Sequence, residues 1–221
     1  MSVRTVIVAV TGHRLNQLPE QERPRIDSEI ARALDEVEDA SRDVTDGPVR
    51  MTLCSALAEG ADRLAAQAAL VRGWRLVTPL PFSPERYVLD FENEASVREF
   101  HNFLKASRRV SPVPEAAVAA LGGGSAAPYA AVGRALIERA DVLLTVWNGM
   151  PPKGPGGTSE VAALQLEKGG LVLWVPAAEP KPARLVPPAP LPRANTFRRK
   201  LYDALTARFE RIARPPEMRA A

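Results

Sequence analysis

Val6-Ile7-Val8-Ala9-Val10 runs without a polar break into Thr11-Gly12-His13-Arg14, and this passage sets the reading of the chain. A continuous aliphatic run of strand length suits a parallel sheet covered on both faces, and a small, glycine-bearing exit lets the chain turn sharply into a helix. The pattern recurs twice. Met51-Thr52-Leu53-Cys54-Ser55 ends in Ala58-Glu59-Gly60-Ala61-Asp62. Val142-Leu143-Leu144-Thr145-Val146-Trp147 leads through Asn148-Gly149 to Gly154-Pro155-Gly156-Gly157-Thr158-Ser159-Glu160. In an open parallel sheet, ligands bind outside the carboxyl ends of the strands. An anionic group there meets the unpaired N–H groups and the positive dipole end of the following helix. Three such turns on one rim imply a shared pocket for a nucleotide-like ligand.

Outward from these turns, strands are expected at residues 5–10, 49–55, 75–80, 141–147 and 171–175, with a short edge strand at 109–113. Helices are expected at 20–40, 61–72, 91–107, 129–140 and 158–168. Ile26, Ile30, Ala33, Leu34 and Val37 have helical spacing. Gly73 stops the second helix, and Ser83-Pro84-Glu85 has the serine cap and first-turn proline of a helix start. Residues 111–128 are small and centred on Gly122-Gly123-Gly124-Ser125, which suits either a mobile lid or a disordered loop. Alternating strands and helices imply an α/β fold: a doubly wound, mostly parallel, Rossmann-like sheet flanked by helices, with a C-terminal helical appendage.

The domain division expected is a Rossmann-like domain over residues 1–175, a proline-rich linker over 176–194 and an amphipathic basic helix over 195–214. Seven prolines between positions 176 and 192 favour an extended, semi-rigid segment. Beyond it, Phe197, Leu201, Leu205, Phe209 and Ile212 form one apolar stripe, with Arg198, Arg199, Lys200, Arg208 and Arg211 on the other surfaces. Such a helix docks on its own domain or on a twin subunit, with membrane-surface or nucleic-acid contact as the alternative. A homodimer is the expected assembly.

Composition narrows the chemistry. At 221 residues the chain can bury a sizeable core. A single cysteine, Cys54, excludes an intramolecular disulfide, and two histidines without a second thiol disfavour a zinc cluster, so no metal and no cofactor is expected. Neither a secretory leader nor an apolar run of roughly 18 residues is found, which predicts a cytoplasmic protein without membrane contact. The formal net charge is +3, but from residue 176 onward ten Lys or Arg face only four Asp or Glu. The main domain is therefore mildly acidic, which argues against a broad phosphate-tracking surface and makes nucleic acid an unexpected partner.

At the turns, Gly156 and Gly157 would let the backbone approach a phosphate, with Thr158 or Ser159 adding a hydroxyl at the helix start. Glu160 stands in the first helical turn, where the dipole favours a carboxylate, and capping alone would also account for Thr158 and Glu160. Gly12 permits a tight exit from the first strand. Arg14 can grip an anion with its fork of donors, and His13 packs, caps or acts as a base. Ser55, Glu59, Gly60 and Asp62 form the second turn. There Gly60 admits close backbone approach, and Asp62 caps the helix or holds a ribose hydroxyl.

Leu57-Ala58-Glu59-Gly60-Ala61-Asp62, followed by Ala65-Ala66 and Ala69-Leu70, resembles the GLA-x-G-x-D-x-x-A-x-x-x-A-L turn of DNA-processing protein A. Thr11-Gly12-His13-Arg14 is similar to the first-strand exit of its superfamily, and Gly156-Gly157-Thr158 to the GGT loop of the Lonely Guy (LOG) branch. On these motifs residues 3–175 resemble the SMF/DprA–LOG (SLOG) Rossmann-like superfamily. Leu80-Pro81-Phe82, Tyr87, Asp90-Phe91, Gly133-Arg134 and Asp141-Val142-Leu143-Leu144 resemble a bacterial branch of it. The resemblance implies a Rossmann-like fold and, in LOG-type relatives, dimers. Its functions span phosphoribohydrolases, a single-strand DNA-binding mediator and nucleotide sensors.

LOG enzymes carry P-G-G-x-G-T-x-x-E. Here Val161 holds the glutamate position and Glu160 stands one residue early, a helical rotation of about 100°. Arg98, Arg108 and Arg109 are the nearest candidates for their paired arginine. The expected function is binding of a nucleoside phosphate, an ADP-ribose-like molecule or a cyclic nucleotide, as a sensor. One alternative is a nucleoside 5'-monophosphate N-glycosidase, with Glu160 as the catalytic carboxylate and Arg14 or Arg134 holding phosphate. A second is DprA-like single-strand DNA binding.

Overall fold

The computed structural model describes residues 3–151, 156–178, 180–187 and 196–213, with side chains described through Glu210. One seven-stranded sheet organises the chain, in the order β4-β3-β2-β1-β5-β6-β7. Its strands are β1 (Arg4–Gly12), β2 (Val49–Cys54), β3 (Arg75–Leu80), β4 (Arg109–Pro112), β5 (Val142–Trp147), β6 (Leu171–Pro176) and β7 (Arg184–Val186). All neighbours are parallel except β6 and β7, which pair antiparallel. The chain winds outward from β1 to β4, returns to the other side of β1 as β5, and continues to β6. The topological switch point therefore lies between β1 and β5, where a doubly wound sheet opens its ligand crevice.

Alternation along β1 explains why both faces are covered. Val6, Val8 and Val10 face one core, and Ile7 and Ala9 the other. The first core is closed by α1 (Arg23–Asp43), α2 (Ala61–Val71) and, further along the chain, α4 (Glu94–Ala106), with Ile26, Ile30, Leu34 and Phe100 fully buried. Between α2 and α4 lies the short helix α3 (Pro84–Tyr87), capped by Ser83. The second core is closed by α6 (Ala127–Arg139) and α7 (Thr158–Glu167) through Leu136, Ile137 and Val161.

Three boundaries differ from the sequence expectation for local reasons. A 3-10 turn at Glu20–Glu22 precedes α1, so the regular helix starts with proline in its first turn and runs on to Asp43. Asn93 caps α4 by accepting the Ser96 N–H at 3.0 Å, which moves its start beyond Phe91. Within the small-residue stretch 111–128, Glu115–Ala119 forms a short helix, α5, packed beside α6.

The segment expected as a linker is partly built into the fold. β7 pairs with β6, and Glu29 on α1 accepts the Ala183 N–H at 2.6 Å, while Arg25 donates to the Pro176 carbonyl at 2.7 Å. Last comes α8 (Thr196–Ala213). Its Leu201 and Leu205 are fully buried against the same chain's core, flanked by half-buried Phe197 and Phe209. Arg208 reaches Asp43 at 2.6 Å and Asp39 at 3.5 Å on α1, and the Arg4 guanidinium lies 4.5 Å over the Phe197 ring. Between its own domain and a twin subunit, α8 takes its own domain, and its Arg208 answers the acids of α1. The side chains of Arg211 and Ile212 lie outside the described residues. Among the described residues no helix is long and apolar enough to cross a membrane.

Candidate functional site

The exits of β1 and β2 are packed on one another through glycine. A Cβ at Gly12 would lie 2.4 Å from Ala61 Cβ and 2.9 Å from the Val146 carbonyl oxygen. A Cβ at Gly60 would lie 2.6 Å from the His13 carbonyl oxygen, and its φ of 94° suits glycine. Both glycines thus serve contact between loops, and Gly60 lies outside the cavity lining. Hydrogen bonds complete the junction. The His13 N–H donates to the Val146 carbonyl at 2.9 Å, and the Ala61 N–H to the His13 carbonyl at 3.1 Å. His13 Nε2 accepts the Asn148 N–H at 3.3 Å, so the imidazole itself ties the β1 exit to the β5 exit.

In the second turn, Ser55 is fully buried and its hydroxyl accepts the Leu57 N–H at 3.1 Å. That bond braces Leu57, a non-glycine residue with a φ of 58° whose side chain is fully buried. Glu59 accepts the Glu92 N–H at 3.0 Å and the Ser96 hydroxyl, fastening the turn to α4. Asp62 behaves differently. It is almost fully buried, faces the cavity, and accepts the Ala58 N–H at a long 3.4 Å. Burial pushes its carboxyl up to about 7, against the opposing pull of the Ala58 N–H, Arg63, Ser55 and Arg14.

At the third turn the left-handed residue is Gly156, with a φ of 79°, while Gly157 is the extended N-cap residue of α7 with a φ of −72°. A Cβ at Gly156 would lie 2.7 Å from Ala130 N, so this loop rests on the start of α6. Glu160 Oε2 accepts the Gly156 N–H at 2.6 Å. Its carboxylate holds the turn and does not line the cavity; Val161, the next residue, does. The first N–H groups of α7 have no carbonyl partners within the helix and open toward the pocket with the Thr158 and Ser159 hydroxyls. Gly154 and Pro155 lie outside the described residues.

The three turns enclose a cavity of about 630 Å³ at the switch point. From the candidate set it brings together Gly12, His13, Arg14, Asp62, Gly156, Gly157, Thr158 and Ser159. Ser55, Glu59, Gly60 and Glu160 stand behind the lining, and Arg134 is exposed on α6 away from it. Arg98, Arg108 and Arg109 do not reach it either. The turn motifs alone missed an aromatic wall of Tyr87, Tyr129 and Trp147 and an apolar floor of Val132, Leu136 and Val161. Tyr87 was legible only through the branch resemblance, and Trp147 as the aromatic residue ending a buried strand. At the rim, Arg14 Nη1 donates to the Asp90 carbonyl at 3.4 Å and the Tyr129 hydroxyl donates to the Asp90 carboxylate. Arg86 Nη1 donates to the same carboxylate at 3.0 Å. Asp90 thereby positions two lining side chains from outside the pocket.

No family model matches the chain, and no curated protein matches it. Among solved structures, DNA processing protein A (DprA) from Streptococcus pneumoniae is similar, with a TM-score of 0.49 at 15% identity. That match covers 93% of this chain and 56% of the DprA chain, so this chain spans about half the length of that relative. The Moco carrier protein from Chlamydomonas rheinhardtii matches with a TM-score of 0.42 at 15% identity, covering 77% of this chain and 76% of the other. TM1055 matches with a TM-score of 0.36 at 16% identity, over 64% and 60%.

Proposed function

We propose that the rim cavity binds a nucleotide-derived small molecule and that the protein acts as a binding module for it. The observation that carries this reading is the convergence of three turns on one cavity of about 630 Å³ at the switch point, a size suited to a small ligand. An anionic group fits the N–H groups of Gly157, Thr158 and Ser159 together with Arg14. Asp62 offers a buried acceptor for a hydroxyl or amino donor, and Tyr87, Tyr129 and Trp147 supply flat surfaces for a ring. Binding is favoured over N-glycoside cleavage because Val161 presents an apolar side chain at the LOG glutamate position. Glu160, the nearest carboxylate in sequence, is held by Gly156.

Thermal shift and calorimetry with AMP, ADP-ribose and cyclic AMP test the reading. At least one is expected to raise the melting temperature at millimolar concentration and to lose that effect in Gly157→Val. The valine would crowd the anion-binding amides at a φ of −72° that its backbone tolerates. No stabilisation by any of the three would overturn it, and release of free base from AMP would replace it with the glycosidase. The protein is further proposed to be a homodimer in solution, through a surface other than α8, whose apolar stripe its own domain covers.

A further inference from the structure

Across the β2–β4 side of the sheet, a row of arginines stands without counter-charges among the described residues. Arg50 is the second residue of β2, Arg75 the first of β3 and Arg109 the first of β4, with Arg108 just before it, and Arg139 ends α6. None of them is ion-paired among the described residues. Arginines elsewhere on the surface, such as Arg42, Arg72 and Arg208, do meet carboxylates.

The register explains the gathering. Thr52 pairs with Arg75, and Val77 pairs with Arg109, so Arg50, Arg75 and Arg109 lie on one face along a diagonal across three adjacent strands. Arg139 reaches the same face, where its charge acts on Cys54. Arg75 and Arg109 are exposed, and β4 is the terminal strand, so both this face and the edge beside it are open. The Arg75 guanidinium is held below its usual range by lost hydration and by the Arg50 and Arg108 charges, with no carboxylate contributing.

We propose that this corner of the sheet is a docking surface for an acidic polypeptide segment. Gathered like charges destabilise the free protein and are relieved by a partner bearing carboxylates. Arginine suits that role, since its weakly hydrated planar fork binds carboxylates bidentately. Two features favour a polypeptide over a nucleic acid. The patch contains no aromatic side chain on which a base could stack. It is also short, roughly 16 Å from Arg50 to Arg109 along the diagonal. Beyond it residues 1–175 hold more Asp and Glu than Lys and Arg, so a long polyanion would run onto like charge.

The test uses the full chain and a short fluorescein-labelled hexaglutamate, followed by anisotropy at low and physiological salt. Binding is expected at low salt. It should weaken at least tenfold in the double variant Arg75→Gln/Arg109→Gln and stay unchanged in Arg42→Gln. The double variant should also melt at the same temperature as the parent or higher, because repulsion is relieved. The proposal is overturned by absent binding, by equal binding in the double variant, or by a lowered melting temperature, which would make these arginines structural. Tighter, Arg75-dependent binding of an oligothymidylate would assign the surface to nucleic acid instead.

Discussion

Asp62 is a buried carboxyl facing the cavity, and its titration bears on stability. Its carboxyl keeps its proton to about pH 7 in the folded chain, whereas an unfolded aspartate releases it near pH 3.9. Between those values the native state binds a proton that the unfolded state lacks. Stability from this group is therefore fully present below about pH 4, falls as pH rises toward 7, and levels off above that. Asp62→Asn keeps the shape of the neutral carboxyl and removes the titration. Its melting temperature relative to the parent is expected to rise between pH 5 and pH 8, with a difference of at most about 4 kcal/mol at the upper end. Melts across that range check this; an offset that does not vary with pH would show that the carboxyl titrates normally. Other residues took roles that their type did not announce. His13 accepts the Asn148 N–H, Glu59 anchors α4, and Gly60 lets two loops touch.

Among the elements, the turn before α7 shows how one contact can set a whole binding edge. The Glu160 bond to Gly156 closes the turn that aims the first N–H groups of α7 at the pocket. Glu160→Ala is expected to lower stability by about 1.5–3 kcal/mol, the range for a hydrogen bond to a charged group, and to weaken the proposed nucleotide binding. Glu160→Gln, which still offers an acceptor oxygen, should recover most of both. Denaturant melts and calorimetry with whichever nucleotide stabilises the parent measure this. Base release from AMP that is lost only in Glu160→Ala would return the residue to a catalytic role. The one-residue displacement of the carboxylate from the LOG spacing was legible in the sequence, and so was Val161 in its place. That the displaced glutamate folds back onto a glycine N–H was not, because the bond depends on the left-handed turn at Gly156.

For the molecule as a whole, α8 functions as a brace across α1. Leu205→Ala is expected to cost about 2–5 kcal/mol, the range for a fully buried leucine, without changing the molar mass measured by light scattering. A shift in mass would place that leucine between two copies instead. The strand and helix alternation, the parallel sheet and the rim where three turns meet were legible in the chain alone, because unbroken aliphatic runs and glycine turns have few other uses. The sequence also marked the stripe of Phe197, Leu201, Leu205 and Phe209 as a buried face. Which surface that stripe meets emerged only on folding, since apolar burial is non-directional and the matching acids of α1 lie far away in sequence. Folding likewise decided that Arg184–Val186 joins the sheet, since three residues among prolines give too short a pattern to read. The same holds for the gathering of Arg50, Arg75 and Arg109 at one corner, because parallel register rather than sequence spacing makes distant strand starts neighbours.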